Sequence, residues 1–335
     1  MEHLVNDLLH CRLQAWTFPA GIEARWLGEG ILQLLPGVVP PAPWRQATIL
    51  SAGVHGNETA PIELLLQLTH DLSQGRQPLT QALLIVFGNL PAIRAARRYL
   101  HNALNRLFGG RHLAVTPGNE SRRAFALEQA VQAFYRAADA AGPVNRGHLD
   151  MHTAIRGSLY RQFALLPAHA GDFSPDFYQL LQASGMDAVV RHTEAGGTFT
   201  HFTCEKFAAQ SATLELGKVM PFGANDLSLF AAADAAIRAW IADAPLPPRD
   251  KAPVDYFLVE ESIIKREGEF TLNLAADVEN FTALPAGYEI ARQAEKRWVV
   301  QARAPYILFP NAGVATGQRA GLLLRAAALR LPQPA

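Results

Sequence analysis

The chain reads Gly53-Val54-His55-Gly56-Asn57-Glu58 directly after the apolar run Ala47-Thr48-Ile49-Leu50. The apolar run predicts a short buried strand, so the histidine and the glutamate stand in the turn where that strand ends. Because they are three residues apart, both can bind one divalent metal from the same turn. The segment Leu149-Asp150-Met151-His152-Thr153 offers a third ligand. Two histidines and one glutamate are a ligand set of catalytic zinc that leaves one coordination position for water, which points to hydrolysis.

The spacing of His55 and Glu58 alone leaves two interpretations open. A His-x-x-Glu pair also occurs by chance, in which case His55 is a loop histidine and Glu58 a first-turn acid that faces the helix dipole. Glycines at 53 and 56 favour the metal site, because they allow a tight turn and a close approach of the backbone to a bound group. The ligand set suits zinc, one ion per chain, although cobalt or nickel fits the same ligands.

Composition bounds the class of protein. The chain has 335 residues, of which 49% are hydrophobic and 18% charged, and its formal net charge is zero. This balance gives no electrostatic argument for binding nucleic acid or an anionic membrane. Two cysteines, no signal-peptide pattern and no apolar run of about 20 residues predict a cytoplasmic protein without a membrane span.

Strand-like and helix-like segments alternate in the first part of the chain. The predicted strands are Ala47–Ser51, Ala82–Phe87, Gly147–Met151, Ala188–His192 and Ala212–Leu216. The predicted helices are Pro61–Leu72, Ser121–Ala141, Pro175–Ser184 and Asp226–Ala242. This alternation predicts an α/β fold with a mostly parallel mixed sheet flanked by helices. Sites in such sheets lie beyond the carboxyl ends of the strands, where the candidate ligands stand.

A linker at 243–253 divides the chain, because it has four prolines in eleven residues and so cannot continue a helix or a central strand. We expect a catalytic domain at residues 1–243 and a smaller β-rich domain at residues 254–335. Runs of β type follow the linker, separated by glycine and proline: Tyr256–Val259, Glu269–Leu274, Trp298–Val300 and Tyr306–Phe309.

Two acidic residues near the predicted ligands carry alternative interpretations. Glu215 lies inside the short apolar strand Ala212–Leu216, where burial is costly unless the carboxylate has a partner or a task. Beside a metal it can serve as general acid and base. Alternatively, it lies on the solvated face of an edge strand. Asp150 either orients the imidazole of a ligand such as His152 or is an ordinary strand-end aspartate.

Basic residues follow in the segment Arg97–Phe108 and again at Arg156. One arginine of the segment can polarise a scissile carbonyl and stabilise its oxyanion. Another, with a neighbouring asparagine, can bind a substrate carboxylate, and Arg156 is a further candidate for that role. The alternative for each is a basic surface loop. The other histidines, including His192 and His201, are interpreted as surface or core residues.

Taken together, these segments resemble the succinylglutamate desuccinylase and aspartoacylase branch of the zinc carboxypeptidase superfamily. The resemblance rests on His-Gly-Asn-Glu at 55–58, Leu-Asn-Arg at 104–106, Asp-Met-His-Thr at 150–153 and Leu-Glu-Leu-Gly at 214–217. It implies a carboxypeptidase-like α/β domain followed by a smaller β domain. The residue roles that it implies are zinc binding by His55, Glu58 and His152, acid/base catalysis by Glu215, carbonyl polarisation by Arg98, and carboxylate binding by Asn105 with Arg106.

The resemblance predicts a zinc amidohydrolase that cleaves N-succinyl-L-glutamate to succinate and L-glutamate, the last step of arginine breakdown through succinylated intermediates. The alternatives are an aspartoacylase-like or other N-acyl-amino-acid deacylase, and a zinc-binding protein without activity. One position departs from the family pattern: members often carry an acid two residues before the asparagine, and here Ala103 stands in its place. A contact that supports Arg106 is therefore expected to be lost or replaced.

Overall fold

A computed structural model describes residues 1–37, 44–140, 142, 144–169, 171–266 and 269–329. The helices are α1 Glu2–Leu9, α2 Thr59–Ser73, α3 Leu90–Arg94, α4 Asn119–Asp139, α5 Pro175–Ala183, α6 Phe199–Phe207 and α7 Ala231–Ile241. The strands are β1 Ile22–Gly28, β2 Ile31–Pro36, β3 Gln46–Ala52, β4 Ala82–Phe87, β5 Asn145–Ala154, β6 Phe163–Leu166, β7 Ala188–Arg191, β8 Gln210–Lys218, β9 Asp255–Ile264, β10 Phe270–Leu272, β11 Glu289–Gln293, β12 Lys296–Val299, β13 Tyr306–Leu308 and β14 Arg319–Ala327.

The largest element of the fold is a mixed sheet in the order β1-β2-β4-β3-β5-β8-β6-β7-β9-β14-β13. Parallel ladders join β4, β3, β5 and β8, and further along they join β6, β7 and β9. Antiparallel ladders join β8 to β6 and build both ends of the sheet. The predicted α/β fold is confirmed, and the carboxyl ends of β3, β5 and β8 meet at one edge.

Helices cover both faces of this sheet because its central strands are apolar on both sides. In β3, Leu50 and Ala52 pack into the core under α1, α2, α5 and α7, whereas Ala47 and Ile49 pack into the core under α4 and α6. Successive side chains of a strand point to opposite faces, so a fully apolar strand needs cover on both. The buried strands therefore act as a rigid support for the residues at their ends.

The part of the chain after residue 253 continues the main sheet and adds a second one. β9 pairs in parallel with β7, and β14 and β13 extend the sheet beyond it. A separate antiparallel sheet contains β10, β11 and β12. Residues 243–253 contain no helix or strand. The division into domains at 1–243 and 254–335 stays a prediction.

Some elements differ from the sequence-based expectations. The helix expected at Asp226–Ala242 is a 3-10 turn at Leu227–Phe230 followed by α7. Ala141, the expected end of the α4 helix, lies outside the described residues. Several elements were not predicted because their sequences lack a clear periodic pattern: the hairpin of β1 and β2, and also α1, α6, β6 and β14. In the described part of the chain, no helix combines the length and the apolar character needed to cross a membrane.

Candidate metal centre and active site

The three predicted metal ligands converge. His55 lies in the turn after β3, Glu58 immediately precedes α2, and His152 lies near the end of β5. One ligand atom from each lies within 4.8 Å of the others. Nδ1 of His55 is 2.9 Å from Oε1 of Glu58, and Nδ1 of His152 is 2.8 Å from Oε2 of the same carboxylate. All three side chains are buried, so the geometry fits a single metal ion.

Parallel pairing brings these distant residues together. β3 and β5 are neighbours in register, with Ala52 opposite Met151, so the segments that follow them leave the sheet side by side. The turn after β3 then packs against the start of α3. At Gly56, a Cβ atom would lie 2.3 Å from the backbone of Ala92 and Ile93. A glycine is required here because no side chain fits between the two backbones.

Replacing Gly56 with alanine is expected to destabilise the fold by about 1–3 kcal/mol and to weaken metal binding, because the turn that carries His55 must move away from α3. Thermal unfolding and zinc titration measure the two effects. Gly21→Ala is the matched control, since a Cβ atom at Gly21 has no neighbour within 4 Å. A Gly56→Ala protein with wild-type stability and wild-type zinc affinity would contradict this account of the turn.

A buried chain of polar groups supports His152 from behind. Oδ2 of Asp150 is 2.7 Å from Nε2 of His152, and the hydroxyl of Ser51 donates to Oδ1 of Asp150 at 2.6 Å. His148 continues the chain, with Nε2 2.8 Å from the Ser51 hydroxyl oxygen and Nδ1 2.9 Å from the Thr203 hydroxyl oxygen. These contacts orient the imidazole of His152 and leave its Nδ1 directed at Glu58.

Charge at this centre favours a cation. Burial raises the pKa of Glu58, but the neighbouring imidazoles of His55 and His152 outweigh burial and bring the pKa well below its usual value. Burial lowers the pKa of His152, yet Asp150 and Glu58 raise it further than burial lowers it. Burial lowers the pKa of His55 to about 4. The Glu58 carboxylate is therefore ionised between two imidazoles, and a carboxylate oxygen beside two ring nitrogens is a donor set that a divalent metal accepts.

Glu215 lies beside these ligands. On the parallel strands β5 and β8, His152 is directly opposite Glu215. The Glu215 side chain is only 9% exposed, and its Oε2 is buried without a hydrogen-bond partner among the described residues. Burial raises the pKa of this carboxyl to about 7, and the charge of Glu58 acts in the same direction. A carboxyl with such a pKa exchanges protons readily near neutral pH, as a general acid/base must.

Among the predicted catalytic and substrate-binding residues Arg98, Asn105 and Arg106, Arg98 contacts a predicted metal ligand directly. Nη1 of Arg98 donates to Oε1 of Glu58 at 2.7 Å. Oδ1 of Asn105 accepts from the backbone N–H of Phe199 at 2.9 Å, which directs the amide group toward the start of α6. Nη1 of Arg106 donates to the backbone carbonyl of its neighbour Asn105 at 2.7 Å. No carboxylate of the described chain lies within 4 Å of the Arg106 guanidinium, in keeping with alanine at position 103.

Arg156 is placed at the junction with the C-terminal part. Its Nη1 donates to the backbone carbonyls of Ala276 and Val278, each at 2.7 Å. Neither contact belongs to the group of metal ligands. The guanidinium therefore links the end of β5 to the segment that follows β10, and its role in substrate binding stays a prediction.

A second basic group was missed at the level of sequence. His192 and His201, interpreted as ordinary surface or core residues, are buried with ring centroids 5.2 Å apart. Arg319, at the start of β14, acts on both: burial, followed by the charge of Arg319, lowers the pKa of each imidazole. The one local signal for this group was the pair Gly196-Gly197, which lies between the two histidines in the sequence. No sequence pattern near Arg319 indicated that it belongs to the same group.

Comparisons with known families cover most of the chain. Residues 45–241 match the family described as succinylglutamate desuccinylase/aspartoacylase catalytic domain, and residues 252–327 match the AstE/AspA barrel-sandwich hybrid domain. The chain is 49% identical over 308 residues to a succinylglutamate desuccinylase of Photorhabdus laumondii, covering 92% of this chain and 94% of that protein. It is 47% identical over 305 residues to a succinylglutamate desuccinylase of Serratia proteamaculans, covering 91% of each.

Solved structures agree with these matches. The crystal structure of a succinylglutamate desuccinylase from Vibrio parahaemolyticus has a TM-score of 0.88 and 29% identity, and the match covers 98% of this chain and 96% of that one. A succinylglutamate desuccinylase from Chromobacterium violaceum has a TM-score of 0.81 and 37% identity, with 97% and 98% covered. The similarity therefore includes both the part that carries the predicted metal ligands and the C-terminal part.

Proposed function

The chain belongs to the succinylglutamate desuccinylase/aspartoacylase family, and from this premise we propose that it is a zinc-dependent amidohydrolase that cleaves N-succinyl-L-glutamate to succinate and L-glutamate. One observation supports the proposal above all. Glu215 is a buried carboxyl with a pKa of about 7, and it lies opposite His152 on the neighbouring strand. His152 is one of the three grouped side chains that could hold a metal ion. This is the arrangement that amide hydrolysis assisted by a metal requires.

His55, Glu58 and His152 would hold one zinc ion per chain. The fit rests on the donor set, since both Nδ1 atoms and the Glu58 carboxylate face one another in a buried space. Zinc bound there supplies a Lewis acid that polarises the amide carbonyl and makes water acidic enough to ionise near neutral pH. Asp150 keeps the imidazole of His152 in the orientation that ligation needs.

The remaining steps belong to protein side chains. Glu215 takes a proton from the attacking water and later donates it to the departing glutamate nitrogen. Arg98, whose guanidinium already reaches Glu58, stabilises the oxyanion that forms on the amide carbonyl. Asn105, Arg106 and Arg156 bind substrate carboxylates, a task that suits the bidentate geometry of arginine.

The metabolic setting is part of the same proposal. Hydrolysis of N-succinyl-L-glutamate is the last step of arginine breakdown through succinylated intermediates, and we assign the chain to that step. Cys11 and Cys204 are both free thiols, which suits an enzyme that works in a reducing cytoplasm. The relatives' names favour this substrate over acetylaspartate and favour an enzyme over a zinc-binding protein without activity.

A substrate panel combined with metal analysis tests the function. Purified protein is expected to contain about one zinc per chain and to release glutamate from N-succinyl-L-glutamate faster than it releases aspartate from N-acetyl-L-aspartate. Removal of the metal with a chelator should abolish turnover, and added zinc should restore it. Faster hydrolysis of acetylaspartate would make the specificity assignment wrong, and a zinc-loaded protein without hydrolysis of either amide would support the binding protein instead.

A further inference from the structure

Five basic side chains, one of them the predicted carboxylate-binding residue Arg106, lie near one another. His192 and His201 are 9% and 6% exposed and stack edge to face at a centroid distance of 5.2 Å. Arg106 and Arg111 are exposed, and Arg319 is partly exposed. The group therefore has a floor of two buried imidazoles and a rim of guanidinium groups that a dissolved ligand can reach.

The sheet topology explains how Arg319 joins this group from the C-terminal part. β9 runs parallel to β7 and continues past its end, from Val259 to Ile264. β14 returns antiparallel to β9 and begins with Arg319 opposite Ile264. Arg319 therefore stands beyond the carboxyl end of β7, where His192 directly follows. The hydroxyl of Thr193 donates to the carbonyl of Val259 at 2.9 Å and ties this corner to β9.

The loop between β7 and α6 brings the other members into place. The backbone of Gly196 packs closely against the imidazole of His201, since a Cβ atom at Gly196 would be 3.0 Å from two of the ring atoms. Nη1 of Arg111 donates to the carbonyl of Gly196 at 2.7 Å. The backbone carbonyl of Arg106 lies 3.0 Å from the position of a Cβ atom on Gly197. The loop is thus packed against both arginines and one histidine.

The group lacks an anion of its own. Across the part of the chain that the structure describes, no carboxylate lies within 4 Å of the guanidinium groups of Arg106, Arg111 or Arg319. Burial lowers the pKa of Arg319 to about 9, and the neighbouring charge of Arg106 acts in the same direction. Nε2 of His201 is buried and has no hydrogen-bond partner among the described residues, while its Nδ1 is 2.8 Å from the Thr198 hydroxyl oxygen. Neighbouring guanidinium groups that repel one another and have no carboxylate beside them are explained if a ligand brings the anion.

We propose that Arg319, together with Arg106 and His201, binds one carboxylate of the substrate, so that the C-terminal part completes the substrate site. The inference rests on the proposed function, because N-succinyl-L-glutamate carries three carboxylates, each of which needs a cationic or hydrogen-bonding partner in the site. Arg319 acts on binding rather than on bond cleavage, since no hydrogen bond or ion pair among the described residues joins it to Glu215 or to the three predicted metal ligands. Its loss should therefore raise KM and leave kcat largely unchanged.

The test replaces Arg319 with glutamine and compares the parent substrate with three neutralised analogues, in each of which a carboxamide replaces one of the three carboxylates. On N-succinyl-L-glutamate, R319Q should raise KM by about tenfold or more. On the analogue that lacks the contacted carboxylate, the same substitution should change KM by less than about threefold, because that contact is already absent. The analogue that loses its sensitivity identifies which carboxylate Arg319 binds.

Two further variants separate binding from folding. R319K retains the charge and should recover part of the loss. R325Q removes an arginine from the same strand β14, where Arg325 pairs with Glu260, and should leave KM unchanged. An equal loss on the parent and all three analogues, or a KM for R319Q within twofold of wild type, would overturn the proposal.

Direct binding distinguishes this inference from the proposed function. Calorimetric titration of the zinc-loaded protein with the same four compounds measures Kd whether or not they are hydrolysed. If wild type binds the parent compound without turning it over, the proposed reaction fails, and the R319Q comparison of Kd still decides the role of Arg319. If none of the four compounds binds to wild type, the proposal for Arg319 is overturned as well.

Discussion

Glu215→Gln is expected to lower kcat by about 10²- to 10⁴-fold, the range that general acid/base catalysis supplies, while bound zinc stays at the wild-type level. Glutamine has the same shape as glutamate but cannot accept the proton of the attacking water. Because Glu215 stands opposite His152 on the neighbouring strand but is not among the three ligands, the metal should stay bound. Steady-state kinetics with N-succinyl-L-glutamate and elemental analysis measure the two quantities.

The dependence of kcat/KM on pH gives a second readout of Glu215. In wild type, activity should fall as pH decreases through the pKa of this carboxyl, since the base is then protonated. Burial brings that pKa to about 7, and the positive charge of a bound metal lowers it again, so the acid limb is expected at or below pH 7. Glu205→Gln, an exposed residue of α6, is the control. Unchanged turnover in E215Q would remove the catalytic role assigned to Glu215.

His152→Ala is expected to have the second large effect, a loss of zinc affinity of more than about 100-fold. Replacing a group that only orients a ligand costs about 10- to 100-fold in metal affinity, and His152 is assigned as a ligand itself. The variant should also be less stable by about 3–5 kcal/mol, because Glu58 and Asp150 keep buried carboxylates that have lost their shared imidazole.

Zinc content after dialysis and a thermal unfolding curve separate the two consequences of this substitution. His152→Gln retains a polar side chain beside both carboxylates and should stay better folded while still losing metal. His10→Ala removes an exposed histidine at the end of α1 and should retain full zinc content. A folded His152→Ala protein with one tightly held zinc would contradict the assignment of this ligand.

Local pattern predicted the central strands and the ligands that follow them. The apolar runs of β3 and β4 are buried on both faces, and such runs stand out in any sequence. His55 and Glu58 were identified because they share one turn, and His152 because it ends another apolar run. In each case the signal lies within a few residues of the chain. An apolar run identifies the buried strand, and a polar side chain directly after it is expected at the carboxyl edge of the sheet, where such sites lie.

Other features had no local signal. Glu215 could equally have been an exposed residue of an edge strand, and only the position of β8 between β5 and β6 buries it. The contacts of Arg156 with the backbone carbonyls of Ala276 and Val278 had no signal near residue 156 either. His201 and Arg319 are 118 positions apart in the chain (319 − 201), and no periodicity relates them.

The amino-acid sequence by itself therefore determined the α/β class and the family and predicted the metal ligands, because each depends on short motifs and on the alternation of apolar residues. Only the tertiary structure decided that Glu215 is buried opposite His152 and that Arg319 lies beyond the carboxyl end of β7. Both depend on which strands become neighbours, and strand order is set by the packing of the whole sheet rather than by any one segment.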